Sequence, residues 1–252
     1  MFPVRDDNPT LSPAIATYAI IALNALAWIF LQGMGSEPAL VRSVCELGAV
    51  PGELLGTVRA GTEVPIGPHS VCVVEGTARW VTAFTHMFLH GSWLHIIGNM
   101  WFLALFGDNV EDSMGHFRFV LFYVLCGLAA FAAQLTAGPN SAIPMVGASG
   151  AIGGVMGAYA IMYPRARVHM VIFLGFYVTR AIVPAAFMLG YWFVLQILGG
   201  SIGSVEEGGG VAFWAHVGGF AAGLALSYLF RDPERVEAHR RAIAANWGAR
   251  YA

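Results

Sequence analysis

The sequence has 252 residues, of which 57% are hydrophobic and only 11% are charged, with a formal net charge of −2. A soluble domain has about 25% charged residues, so this composition excludes a disordered chain, a nucleic-acid-binding domain and an ordinary cytosolic enzyme. Because the charge is nearly balanced, it implies no polyanionic partner. These values indicate a chain made up largely of membrane spans.

Six apolar stretches without charged residues predict an all-α membrane protein, a bundle of six transmembrane helices. A helix needs about 20 mostly apolar residues to cross the bilayer. The stretches lie at about 14–31, 93–107, 119–137, 147–163, 181–205 and 208–230. A signal peptide at the first stretch is disfavoured, because Asp6 and Asp7 stand where positive charge is typical. The apolar stretch Val168–Thr179 has only 12 residues, so we expect a loop or an interfacial segment there.

The distribution of arginine predicts the orientation of these spans. All 13 basic residues are arginine, and only Arg42, Arg59 and Arg79 fall on the side opposite the termini. Positive residues concentrate in cytoplasmic loops, so we expect both termini in the cytoplasm. The predicted organisation is an N-terminal segment 1–13, a membrane domain 14–230 and a polar tail 231–252. The long first loop, about 37–92, then faces the outside.

Four polar residues lie within predicted spans at a similar depth near the outer side. His95 and Asn99 share one face of the second span, Ser149 opens the fourth, and His216 lies near the start of the sixth. Polar groups inside a membrane are costly and often functional. Taken singly, each residue also fits a simpler interpretation: a helix N-cap for the serine, a packing residue for each histidine and interhelical hydrogen bonding for the asparagine.

Glycine patterns indicate that the fourth and sixth spans approach closely. Gly153 and Gly157 follow Ser149 at small-xxx-small spacing, and Gly219 and Gly223 share a face with His216. Such faces let helix backbones meet, which would bring Ser149 within hydrogen-bond reach of His216. A neutral histidine can activate a serine hydroxyl as a nucleophile. The backbone N–H of Ser149, with Asn99 and His95, could then stabilise an oxyanion.

Other chemistries fit the sequence less well. His86, His90 and His95 could suggest a metal, but no His-Glu-x-x-His motif is present, so we expect no metal and no cofactor. No aspartate lies within a span, which excludes an aspartyl intramembrane protease. A transporter remains an alternative, although it would need polar residues along the whole depth of the bundle.

These motifs together resemble the rhomboid family of intramembrane serine proteases. The resemblance covers roughly 80–230 and is carried by His95-x-x-x-Asn99, Gly147-Ala148-Ser149-Gly150 and Ala215-His216-x-x-Gly219-x-x-x-Gly223. The segment Phe106-Gly107-Asp108-Asn109-Val110-Glu111-Asp112 is similar to the turn after the second span of bacterial members. The resemblance implies a multi-pass protein, which we place in a bacterial inner membrane.

The resemblance also implies a function and a site. Ser149 would be the nucleophile and His216 the base, and His95, Asn99 and the backbone at Gly147 and Ser149 would form the oxyanion hole. The implied substrates are other membrane proteins, cut within or near a transmembrane helix. The alternative is an inactive rhomboid-like protein that binds transmembrane clients. The sequence departs from the family at Gly153, where many members carry an aromatic residue that stacks on the histidine.

Two further expectations concern the loops outside the membrane. Cys45 and Cys72 are the only cysteines outside the spans, and both fall on the oxidising face, so we expect a disulfide bond. Two unpaired thiols are the alternative. The glycine runs Gly199-Gly200 and Gly208-Gly209-Gly210 flank the loop before the sixth span and suit a mobile cap over His216. The sequence does not indicate an oligomeric state.

Overall fold

The computed structural model describes residues 2–67, 70–175, 177–202 and 211–249. Helices make up most of the described chain: α1 (Ile15–Leu26), α2 (Ala39–Leu47), α3 (Pro51–Leu54), α4 (Thr82–Thr85), α5 (Trp93–Met114), α6 (His116–Ala137), α7 (Ser149–Met162), α8 (Ala185–Ile202), α9 (Phe213–Phe230) and α10 (Pro233–Ala249). The strands are β1 (Phe2–Asp6), β2 (Glu63–Gly67), β3 (Ser70–Val73), β4 (Arg167–Leu174) and β5 (Tyr177–Pro184). One π-helical turn, Ala27–Leu31, extends α1.

Helix α7 lies at the centre of the bundle and contacts α5, α6, α8 and α9. Its sequence contains four glycines and three alanines in 14 residues, and nearly every side chain is buried. Small residues let neighbouring backbones approach a helix from several sides. Larger side chains from the surrounding helices, such as Phe106 and Tyr123, fill the remaining core.

Three of the described helices, α6, α8 and α9, are long and apolar enough to cross a membrane. Ile15–Leu31 and Ser149–Met162 are apolar but shorter. Helix α5 has 22 residues, and its last two turns carry Asp108, Glu111 and Asp112. The prediction of a turn at residues 106–112 is therefore wrong. These residues continue α5, which ends at Met114 with Gly115 as its C-cap.

A three-stranded antiparallel sheet corrects the all-α prediction. Its strand order is β1-β4-β5, and Phe2 pairs with Val171 while Arg167 pairs with Pro184. The expected loop at 168–179 is therefore wrong, because Arg167–Leu174 and Tyr177–Pro184 pair as antiparallel strands. Val168 and Met170 are buried in the helical core. The hairpin also shortens the fifth predicted span, since residues 181–184 belong to β5 and α8 begins at Ala185.

The loop between α1 and α5 and the C-terminal tail are both ordered against the bundle. The loop contains α2, α3, α4 and the β2–β3 hairpin. A disulfide bond joins Cys45 of α2 to Cys72 of β3. In the tail, His239 of α10 is buried, and its Nε2 lies 2.8 Å from Oδ2 of Asp112. The predicted glycine run 208–210 lies outside the described residues.

Candidate active site

Ser149 and His216 come together at one end of the central helices. Ser149 is the first residue of α7, and His216 is the fourth residue of α9. The Ser149 Oγ lies 2.8 Å from the His216 Nε2, which is hydrogen-bond distance. This pair has the geometry of a serine nucleophile and its general base.

Direct backbone contact between α7 and α9 sets this distance. A Cβ placed on Gly219 would lie 1.9 Å from the Gly150 carbonyl oxygen, and one on Gly223 would lie 1.9 Å from the Gly154 carbonyl oxygen. Neither position has room for a side chain. The glycine pairs at 150/219 and 154/223 therefore hold the two helices at the separation that the Ser149–His216 hydrogen bond requires.

The two glycines predicted on α7 also lie in this contact. A Cβ on Gly157 would be 2.4 Å from the Phe220 carbonyl oxygen, and one on Gly153 would be 3.2 Å from the His216 carbonyl oxygen. The closest contacts, however, involve Gly150 and Gly154, which the sequence analysis did not assign to packing. Their own Gly-x-x-x-Gly spacing is the signal that could have identified them.

The pair opens into a cavity of about 410 Å³ between α5, α7, α8 and α9. Its lining includes Ser149, His216, His95, Asn99 and Trp192, with apolar residues around them. An apolar cleft with a few convergent polar groups is typical of a site that holds a ligand. The structure therefore brings the two predicted oxyanion residues of α5 to the same cavity as the serine.

Asn99 and His95 both present hydrogen-bond donors at this cavity. The Asn99 Nδ2 is buried and has no partner among the described residues. The His95 Nδ1 accepts the Gly91 N–H at 3.3 Å, so in the neutral ring the proton is on Nε2. Because α7 begins at Ser149, the N–H groups of its first turn also lack intrahelical partners. The site thus offers donors from two helices beside one hydroxyl.

The expectation that the Gly147 backbone contributes to the oxyanion hole needs a correction. Its N–H donates to the His86 carbonyl at 2.9 Å and is not free for a ligand. Gly147 has a φ of +131°, and a Cβ there would lie 2.8 Å from the His95 Nε2. Glycine is needed at this position because it leaves room for the His95 ring next to the serine.

Two residues of α8 that the sequence analysis did not identify contact His216. The Gln196 Oε1 lies 2.7 Å from the His216 Nδ1, and the Trp192 ring lies 5.7 Å from the imidazole, centroid to centroid. Gln196 is buried within an otherwise apolar span. An uncharged polar residue in such a span is the signal that could have found it.

His86 and His90 precede α5 in the chain and are both buried. Burial lowers the pKa of His86 to about 4 and the pKa of His90 to about 3, so both rings are neutral near pH 7. Within the described parts of the chain, no group of three or more histidine, cysteine or acidic side chains is arranged to hold a metal. His86 instead holds the Gly147 backbone through its carbonyl oxygen.

A comparison with protein families agrees with the resemblance carried by the serine and histidine motifs. The Rhomboid domain model matches residues 77–233, which is more than half of the chain. This chain belongs to the rhomboid family.

Known relatives are found in several organisms and compartments. The chain is 28% identical over 169 residues to Rhomboid-like protein 11, chloroplastic, of Arabidopsis thaliana, an alignment that covers 65% of this chain and 57% of the relative. It is 26% identical over 167 residues to Rhomboid protein 1, mitochondrial, of Saccharomyces cerevisiae, covering 64% and 45%. With the rhomboid protein YdcA of Bacillus subtilis it shares 29% over 143 residues, covering 57% and 60%. The matched region spans about half the length of these relatives.

Proposed function

We propose that this chain is an intramembrane serine endopeptidase that hydrolyses peptide bonds in or near transmembrane segments of other membrane proteins. The observation that carries the proposal is the 2.8 Å hydrogen bond between Ser149 Oγ and His216 Nε2 at the wall of an open cavity. Family membership agrees with this chemistry.

The mechanism follows from the protonation states that the hydrogen bonds favour. Ser149 donates its hydroxyl proton to His216 Nε2 as Oγ attacks the scissile carbonyl carbon. The resulting imidazolium then gives that proton to the leaving amine, and an acyl-enzyme remains on Ser149. Water next attacks the ester and gives a proton to His216, which passes it to Ser149 Oγ as the acyl–oxygen bond breaks, and this releases the new carboxyl terminus and the free serine.

The negative charge on the tetrahedral intermediate needs donors already in place. The Asn99 Nδ2, the His95 Nε2–H and the Ser149 backbone N–H supply them from α5 and α7. Because these donors have no partner in the part of the chain that the structure describes, they can stabilise the oxyanion without first breaking a hydrogen bond there. Gly147 supports His95 by leaving space for its ring.

The same proposal includes the topology of the protein in the membrane. Six spans would cross the bilayer, with both termini in the cytoplasm and Ser149 and His216 near the outer face. The distribution of arginine supports this orientation. The membrane would be a bacterial inner membrane. The lipid bilayer and transmembrane substrates are its partners, and the reaction needs no cofactor.

The test is cleavage of a tagged transmembrane substrate by purified protein in liposomes, together with labelling by a fluorophosphonate. Wild-type protein should cleave the substrate and become labelled, whereas the Ser149→Ala variant should do neither. A folded wild-type protein that binds the substrate but neither cleaves it nor reacts with the probe would contradict the proposal. That result would identify an inactive client-binding relative.

A further inference from the structure

The imidazole of His216 has two nitrogens, and only one of them faces the serine. The Nε2 lies 2.8 Å from Ser149 Oγ, while Nδ1 lies 2.7 Å from Gln196 Oε1. In a neutral histidine one nitrogen carries a proton and the other accepts one, and the partner of the first decides which is which. What lies at Nδ1 therefore determines whether Nε2 can act as a base.

The hydrogen bonds of Gln196 leave one consistent assignment. Its Nε2 donates to the Trp192 carbonyl at 3.3 Å, one helical turn earlier. The amide oxygen consequently faces His216, and an oxygen can only accept, so the proton is on Nδ1. The lone pair of His216 Nε2 is then free for the Ser149 hydroxyl. The donors run in one direction, from Ser149 through His216 to Gln196 and on to the helix backbone.

A second residue of α8, Trp192, packs against the imidazole ring of His216. The Trp192 ring lies 5.7 Å from the His216 ring at an interplanar angle of 39°. At Gly153 a Cβ would lie 3.8 Å from Trp192 Cη2 and 3.2 Å from the His216 carbonyl oxygen. A side chain at Gly153 would therefore start in tight contact with α9 and next to Trp192, and the ring that packs on His216 comes from α8.

We propose that Gln196 is a positioning residue that holds His216 in its Nδ1–H tautomer, and that Trp192 fixes the plane of the same ring. This inference rests on the proposed protease function. It makes Gln196 the third polar residue of one hydrogen-bonded series, after Ser149 and His216. Gln196 is neutral, so it sets the tautomer and direction of the ring without adding a negative charge beside the imidazolium.

A purely structural role is the competing explanation for Gln196, because polar side chains also join membrane helices. The chain offers a matched control. Gln134 of α6 is also buried, and its Oε1 accepts the backbone N–H of Ala215 at 3.2 Å. It therefore supports the same end of α9 without contacting the imidazole of His216.

The test compares Gln196→Leu, Gln196→Glu and Gln134→Leu in the full-length protein. Leucine removes the acceptor, whereas glutamate keeps an oxygen at the same reach. Losing one hydrogen bond of ordinary strength should lower kcat and the rate of fluorophosphonate labelling about tenfold in Gln196→Leu. In Gln196→Leu we expect KM to change less than twofold. Gln196→Glu should restore most of the rate. Gln134→Leu should lower thermal stability while kcat stays within about twofold of wild type.

Wild-type kcat in Gln196→Leu would overturn the inference, as would a loss in Gln134→Leu equal to that in Gln196→Leu. Failure of glutamate to restore the rate would overturn it too.

The role of Trp192 is tested by comparing Trp192→Leu with Phe193→Leu. The Phe193 ring stacks on Phe220 at a centroid distance of 4.5 Å, so its loss removes packing on Phe220 and leaves the packing on His216. Only Trp192→Leu should slow labelling; equal rates in the two variants would remove Trp192 from the proposal.

A measurement without catalysis separates this inference from the proposed function. In protein with ¹⁵N-labelled histidine, the His216 shifts, assigned with a His216→Ala variant, should report a proton on Nδ1. The Gln196→Leu variant should show a mixture of tautomers or the opposite one. If wild-type protein lacks protease activity but shows the Nδ1–H tautomer, the proposed function fails while the Gln196 contact stands. An Nε2–H ring in wild type would refute the positioning role itself.

Discussion

Gly219 of α9 and Gly150 of α7 touch through their backbones, so closely that a Cβ on Gly219 would lie 1.9 Å from the Gly150 carbonyl oxygen. One substitution at this contact should separate the helices that carry Ser149 and His216. We expect Gly219→Val to lose activity and to lower the temperature of half-inactivation, since overpacking costs about 1–3 kcal/mol or more. Gly190→Val is the control, because nothing lies within 4 Å of a Cβ at Gly190. A fully active and stable Gly219→Val protein would contradict the close-packing argument.

The serine and the histidine should behave as one unit. Ser149→Ala and His216→Ala should each reduce substrate cleavage to near background while the fold survives. Groups that act together are not additive, so the double variant should be hardly worse than either single one. The measurement is kcat/KM with a quantified transmembrane substrate, with circular dichroism as the check on folding. Substantial cleavage by Ser149→Ala would place the nucleophile elsewhere.

The Asn99 amide should matter for rate more than for substrate binding. Its Nδ2 is buried without a partner among the described residues, as expected of a donor reserved for a transient oxyanion. Removing one such donor typically costs about 10²–10³ in kcat, so Asn99→Ala should keep measurable activity with little change in KM. If kcat is unchanged, the oxyanion is held by His95 and the Ser149 backbone alone.

The disulfide bond between Cys45 and Cys72 should stabilise the first loop without contributing to the chemistry. It closes a sequence separation of 27 residues, and the chain-entropy description gives about 3 kcal/mol for a loop of this size. We expect Cys45→Ser to increase proteolysis of the loop and to leave fluorophosphonate labelling of Ser149 nearly unchanged. Mass spectrometry of protein kept from reductant checks the bond, since alkylation of both cysteines would exclude it. Cys126 is buried and should stay unmodified.

Asp6 should make the attachment of β1 dependent on pH. Burial raises the pKa of Asp6 to about 7, with the nearby Asp108 and Asp7 adding to the effect, although a hydrogen bond from Tyr159 opposes it. The folded state therefore binds the Asp6 proton more tightly than the unfolded state. Stability falls as the pH rises from about 4 to about 7 and levels off above that. Hydrogen exchange of β1, corrected for intrinsic rates, should be slower at pH 6 than at pH 8. Asp6→Asn should abolish the difference, and a difference that persists would assign it to another group.

The sequence predicted that Ser149, His216, His95 and Asn99 lie near one another, because their positions in the predicted spans imply a similar depth, and all four line one cavity. Their meeting depends on glycine faces, which are also visible as a spacing. Gln196 could have been identified by the same argument, as a polar residue in an apolar span. Its partner could not, because the contact with His216 depends on how α8 lies against α9.

The sheet could not be predicted from these patterns. Each strand has only five to eight residues, and β1 finds its partner β4 more than 160 positions later in the chain. Apolar stretches this short do not distinguish a strand from a loop beside a membrane helix. The hydrogen bond from Gly147 to His86 is likewise a tertiary contact between residues 61 positions apart, and no local motif predicts it.

The β-hairpin described above makes α8 a tethered element. Strand β5 runs directly into α8 at Ala185, strand β4 anchors β5, and β1 anchors β4. At the far side of this chain of contacts, the Trp101 Nε1 donates to the Pro3 carbonyl at 2.8 Å. The first residues of the chain are thus connected through three hydrogen-bonded strands to Ala185, the first residue of the helix that bears Gln196. We therefore expect an affinity tag that disrupts β1 to slow fluorophosphonate labelling of Ser149 more than a tag at the C-terminus does.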